Sequence, residues 1–215
     1  MTANAYIASI ADDFDIHALD HLNWQSAKPI IISRHWSGEV APTEQHCEVR
    51  MLWSDTSLYV RFDAEQHQPL NVSESPDRTH KTMNLWDHDV CELFIAPDAD
   101  KPQRYVEFEV APTGEWIDLI IEHTVVDGVM QRVTDWGYES GMTTAAQIND
   151  GSVVSAFKVD WARLNINPQQ GDAFKGNVFR AMGHEPERTY LTWLPTRTDE
   201  PNFHVVEAFG LIRLT

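Results

Sequence analysis

The chain is poor in cysteine and in positive charge, and it has no long apolar run. Its 215 residues include only two cysteines, Cys47 and Cys91, so at most one disulfide can form and a disulfide-stapled scaffold is excluded. Both fall in candidate strands at core-facing parity, which predicts buried free thiols. Lys and Arg number 16 against 33 Asp and Glu, a formal net charge of −17. Such a field repels phosphate backbones and anionic lipids, so neither nucleic acid nor a membrane is an expected partner. No segment approaches the ~20 consecutive apolar residues of a spanning helix. Residues 1–10 combine neither a basic start nor a long apolar stretch. The expected location is the cytoplasm, or the periplasm or cell exterior if a leader has been removed. The spacings of His80, His88, His123 and His184 match no zinc pattern.

What is present fits a packed domain. Hydrophobic residues make up 42% and charged residues 23%, ordinary globular values, and the length suits a single β-sandwich domain over residues 1–215. Extended, β-branched or aromatic runs recur at 29–33, 46–53, 57–63, 90–96, 104–111, 115–122, 152–159, 176–182, 189–194 and 209–214. Ser54-Asp55-Thr56-Ser57 and Ala111-Pro112-Thr113-Gly114 read as tight hairpin connections. Helical signal is confined to single turns at 15–21 and 160–165. Sequential short strands with tight turns predict an all-β, antiparallel β-sandwich of immunoglobulin or jelly-roll type. Residues 65–84 and 124–148 read as long polar loops, where binding groups collect.

The most informative stretch is Leu85-Trp86-Asp87-His88-Asp89-Val90-Cys91-Glu92-Leu93-Phe94-Ile95. Alternation puts Cys91, Leu93 and Ile95 on one face, and Glu92 and Phe94 on the other. Trp86 precedes the strand at a loop edge, where an exposed indole suits stacking on a sugar ring. On the next candidate strand Phe108 and Val110 face the core, which sets Glu107 and Glu109 beside Glu92. Three neighbouring carboxylates repel one another and raise at least one pKa unless a cation joins them. Arg180 is one candidate cation, Ca²⁺ a second and an amine-bearing ligand a third. The acidic clusters Asp12, Asp13 and Asp15, or Asp98 and Asp100, are further places for calcium, although acidic loops are usually just solvated. Trp53, Trp116, Trp161 and Trp193 read as core, while Trp36 and Trp136 fall in loops and are reserve stacking residues.

Three segments resemble carbohydrate-binding module family 9 and its DOMON-like relatives. They are Glu48-Val49-Arg50-Met51-Leu52-Trp53 with Leu58-Tyr59-Val60, then Trp86 with Asp89 and Glu92, and the closing Phe203-His204-x-x-Glu207-x-Phe209-Gly210-x-Ile212-x-Leu214. The resemblance implies a sandwich that holds a mono-, oligo- or polysaccharide between two aromatic rings, associated with carbohydrate breakdown but not itself catalytic. It puts the stacking rings at Trp86 and Phe203, the latter where a tryptophan is usual, and makes Glu92 a hydroxyl-binding carboxylate. Glu109 stands where an arginine is usual, and Glu200 where an asparagine is. His88 and His204 flank the two rings as candidate donors. The resemblance also implies structural calcium as a cofactor.

Two other functions fit some of these residues. Two carboxylates across a sugar cleft can hydrolyse a glycoside if one is held protonated, with Glu92 and Glu109 as the pair. Related electron-transfer sandwiches bind haem through methionine and histidine, which would draw on Met83 or Met182 with His204 or His88.

Overall fold

The computed structural model describes residues 3–215. Two β-sheets face each other, and a single strand joins them. One sheet is built on β6 (Val90–Ala96) and β7 (Arg104–Val110), extended by β8 (Trp116–Val126) and β9 (Val129–Asp135) on one side. On the other side lies β12 (Ala173–Met182), whose far edge takes β14 (Gly210–Leu214) and then β13 (Thr189–Thr192), with β3 (Arg34–His35) outside β13. The second sheet runs β10 (Thr143–Asn149), β11 (Ser152–Asp160), β5 (Ser57–Glu65), β4 (Cys47–Trp53), and β2 (Ile30–Ile32) pairs with β4. β1 (Asn4–Ser9) pairs in parallel with β14 through its first residues and with β4 through Ala8 and Ser9. All other pairings are antiparallel, and no α-helix occurs among the described residues, only short 3-10 turns.

Side-chain alternation sorts the layers. Cys91, Leu93, Ile95, Phe108 and Val110 enter the core between the sheets with Val49, Val60, Phe62 and Phe157. On the opposite face of the first sheet, Phe94, Tyr105, Leu119, Ile121 and Phe179 form a second apolar layer beneath a cleft. The outer face of the second sheet is covered by the segment before β2, where Phe14 stacks on Tyr59 with centroids 4.5 Å apart and Trp24 is buried. Tyr59 fixes this cover by accepting from Phe14 N at 3.1 Å and donating to Phe14 O at 3.2 Å.

The two hairpins expected between β4 and β5 and between β7 and β8 form, the first closed by Ser54 N donating to Ser57 O at 2.9 Å. In the second, Gly114 takes φ +84°, a conformation glycine adopts without strain. Trp161 opens a 3-10 turn over 161–164, and both cysteines are buried and free. The segment 15–21 makes two hydrogen-bonded turns, Ala18 N donating to Asp15 O and His21 N to Ala18 O, both at 3.0 Å, and a 3-10 turn follows at Leu22–Ser26. Four strands appear where none was expected: β1, the two-residue β3, and within the supposed loop 124–148, β9 and most of β10.

Candidate functional site

The open face of the first sheet carries a cleft of about 570 Å³. Its floor follows directly from strand register. Glu92 of β6 lies opposite Glu109 of β7 on one side and Phe179 of β12 on the other, and Glu107 sits two residues along β7 from Glu109. Leu119 and Ile121 of β8 and Ala181 of β12 complete the floor. One oxygen from each of Glu92, Glu107 and Glu109 lies within 4.8 Å of the others.

These carboxyls are almost wholly withdrawn from water, and Glu109 has 0% of its surface exposed. No donor from elsewhere in the described protein reaches either oxygen of Glu109 or Oε2 of Glu107. Burial, followed by the charge of its neighbours, pushes Glu109 well above the ordinary glutamate range. The same causes act on Glu92, opposed weakly by Arg188. Burial also raises Glu107, with Arg132 working the other way. Carboxyls crowded this closely are easier to hold when one of them keeps a proton.

Aromatic side chains supply the walls. Trp86 sits on a 3-10 turn, Leu85–Asp87, entered through Asn84 at φ +60°. Asp89 ties that turn to its surroundings by accepting from Gly183 N at 2.6 Å and Asn71 N at 3.2 Å. Arg188 adds a second tie, donating to the carbonyls of Gly183, Trp86 and His88. Beside Trp86 stands Trp136, 49% exposed, the ring centroids 6.1 Å apart at 45°. Phe203 lines the other side with Tyr190 at its edge. Its own face stacks on Phe179 at 4.3 Å and 13°, leaving it 9% exposed. His204 lines the cleft and contacts Tyr105 Oη at 2.7 Å through Nδ1; burial depresses its pKa to about 3, so the ring is neutral.

Of the residues singled out in the sequence, Trp86, Phe203, Glu92, Glu109 and His204 come together here, and Glu107 joins them. Arg180 does not. It pairs with Cys91, not Glu92, so alternation turns it through the sheet to the inter-sheet side, where it donates to Gln45 O at 2.9 Å and to Gln66 Oε1. The guanidinium therefore cannot bridge the cleft carboxylates. His88 also stays out of the cleft: its Nδ1 lies 3.3 Å from Asn71 Oδ1. The cations that do line the cleft are Arg132 and Arg188. Neither was anticipated: Arg132 lies on β9, within a segment read as loop, and Arg188 directly precedes β13.

The donor sets at the other acidic clusters do not fit a calcium ion. Asp13 is committed to Thr56, Ser57 and Lys158 at 2.8, 3.0 and 3.0 Å and to Ser54, while Asp15 accepts from His17 N at 3.0 Å. Asp98 accepts from Asp100 N at 3.0 Å and pairs with Lys101. Of the candidate haem ligands, Met182 is buried between the sheets while His204 lines the cleft on the other face of β12, so these two do not converge.

Comparison with known proteins gives a consistent pattern. The family described as "Carbohydrate family 9 binding domain-like" matches residues 17–215. A family 9 carbohydrate-binding module from Caldicellulosiruptor kristjanssonii, solved with glucose, is similar in structure: TM-score 0.68, 15% identity, 99% of this chain and 96% of that one. The same kind of module from that organism in complex with cellotriose gives TM-score 0.68 at 14% identity, over 99% of this chain and 94% of that one. A Bacteroides uniformis protein aligns over the full length of both chains with TM-score 0.75 and 12% identity. No curated protein matches the chain.

Proposed function

We propose, from the premise that this chain belongs to the carbohydrate family 9 binding domain-like family, that the cleft binds a saccharide without transforming it. The carrying observation is the pairing of two indoles that line the cleft, Trp136 half-exposed and Trp86 partly buried, with a floor of buried carboxyls. A pyranose has apolar C–H faces and a rim of hydroxyls. The indoles match the faces, and Glu92, Glu109 and His204 match the rim. Phe203 contributes by closing the wall on Phe179, with little ring face free for stacking. The relatives solved with glucose and cellotriose support neutral glucosides as first ligands to assay.

Raised carboxyl pKa values are also what a glycosidase acid needs, but the arrangement argues against hydrolysis. Glu92, Glu107 and Glu109 share one floor, whereas hydrolysis needs two carboxyls flanking the scissile bond from different sides. Incubation with aryl glycosides is expected to release no phenol, and turnover abolished in Glu109→Gln would reverse this conclusion. For binding, titration of intrinsic tryptophan fluorescence with glucose and cello-oligosaccharides should saturate. Trp86→Ala should weaken affinity roughly tenfold, the worth of about 1 to 2 kcal/mol of stacking. Unchanged affinity in that variant would remove the cleft as the sugar site.

A further inference from the structure

The floor of the cleft carries more negative potential than a neutral sugar needs. Three carboxyls converge within 4.8 Å, and Glu109, fully buried and lining the cleft, has neither oxygen partnered by any donor elsewhere in the described protein. Other buried charges in this fold are matched. Asp118, also fully buried, has Lys81 Nζ at 2.5 Å, and Arg180 is held by Gln45 and Gln66. Arg188, the cation nearest Trp86, is committed to three backbone carbonyls.

We propose that the preferred ligand is an amino sugar, its ring on Trp86 and Trp136 and its protonated amine seated among Glu92, Glu107 and Glu109. This rests on the saccharide reading of the cleft and narrows it to a substrate class. A primary ammonium offers three N–H donors in tetrahedral directions. With charge-assisted bonds of about 2.8 Å, its three acceptors lie about 4.6 Å from one another, a span that the three carboxyls, with one oxygen each inside 4.8 Å of the others, can supply. The adjacent indole faces add cation–π attraction. A calcium ion fits less well. It takes about six to eight oxygens, usually including backbone carbonyls from a loop, and here the three carboxyls stand on paired strands whose carbonyls belong to the ladder. When the amine enters, its charge favours the ionised carboxylates, and protons the floor holds leave to solvent.

The test is isothermal titration of the intact chain with glucosamine, glucose and N-acetylglucosamine, at a pH that keeps the free amine protonated and at moderate salt. Glucosamine should bind about tenfold or more tighter than glucose, and N-acetylation should erase the gain. Glu107→Gln, and separately Glu109→Gln, should reduce the ratio of glucosamine to glucose affinity to near unity. Glu44→Gln, at an exposed site on another part of the surface, should leave it intact. Equal affinity for glucosamine and glucose overturns the inference and leaves the saccharide reading standing. Absence of binding to all three sugars together with cello-oligosaccharides overturns both. Tight binding of Ca²⁺ alone that Glu109→Gln abolishes, with sugar affinity dependent on the ion, gives the floor to a divalent cation and overturns the amine.

Discussion

At the scale of single residues, the cleft is set by one bit of information, the parity of a strand. Glu92 and Arg180 look like natural partners on neighbouring strands, yet Arg180 is registered with Cys91 and Phe179 with Glu92. One residue of register decides which side of the sheet a charge faces. Parity within β6 and β7 was legible, because each strand alternates internally; register between β6 and β12 was not, because no short turn links them. The consequence is a carboxyl floor that Arg180 does not neutralise, and this has a measurable cost. A carboxyl whose folded pKa is raised contributes stability that is complete below its unfolded value, near 4.5, and is lost as pH rises through the folded value. Asp13 has the opposite sign: its hydroxyl and Lys158 partners lower its pKa, so its contribution is lost as pH falls. Glu109→Gln should therefore raise the melting temperature at pH 8 by a few degrees, about 1 to 3 kcal/mol, with the gain shrinking toward pH 5. Differential scanning fluorimetry across that range reads both the sign and the slope. A variant less stable than the parent at pH 8 would mean that the carboxylate has a partner in the folded protein.

At the scale of elements, the β8–β9 hairpin is where reading the sequence fell furthest short. Its outer strand is exposed along nearly its whole length, so it lacks the apolar–polar alternation by which β6 and β7 announce themselves. A local signal was nonetheless present. Val125-Val126-Asp127-Gly128-Val129-Met130 places Asp-Gly between apolar pairs, and both turn residues adopt positive φ, +52° and +79°, the geometry of a two-residue type I′ turn. That turn returns the chain to bring Arg132, Thr134 and Trp136 to the cleft wall. Gly128→Ala meets open space but a backbone region costly for alanine, about 1 kcal/mol. Because β9 lies at the sheet's edge and buries little, the effect should stay local. Amide exchange over 123–135 is expected to quicken and sugar affinity to fall a few-fold, with the melting temperature within about two degrees of the parent. A global loss of stability with unchanged exchange in the hairpin would contradict the edge role assigned to β9.

At the scale of the whole molecule, the charge of −17 adds a long-range field that gathers cations toward the surface and repels anions, in the same sense as the floor of the cleft. The two sheets that carry this surface are joined through β1. The sequence gives little notice of that strand, since its pairing is parallel on both sides and no hairpin links it to either partner. Ala5 and Ile7 enter the core, Thr215 N donates to Ile7 O at 2.9 Å, and Ser9 N returns a bond to Thr215 O at 2.9 Å. Removing residues 1–10 would take these groups from the core and open the edges of β14 and β4 together. The expected loss is about 3 to 5 kcal/mol, from the vacated Ile7 site and the unpaired ladder groups, and two bared edges favour strand-to-strand association. Calorimetry should therefore show a fall of about ten degrees or more, and light scattering of the same sample should report species larger than the parent. A truncated chain that melts like the parent and keeps its size would show that the two sheets hold together through their facing side chains alone, with β1 only lying along the seam.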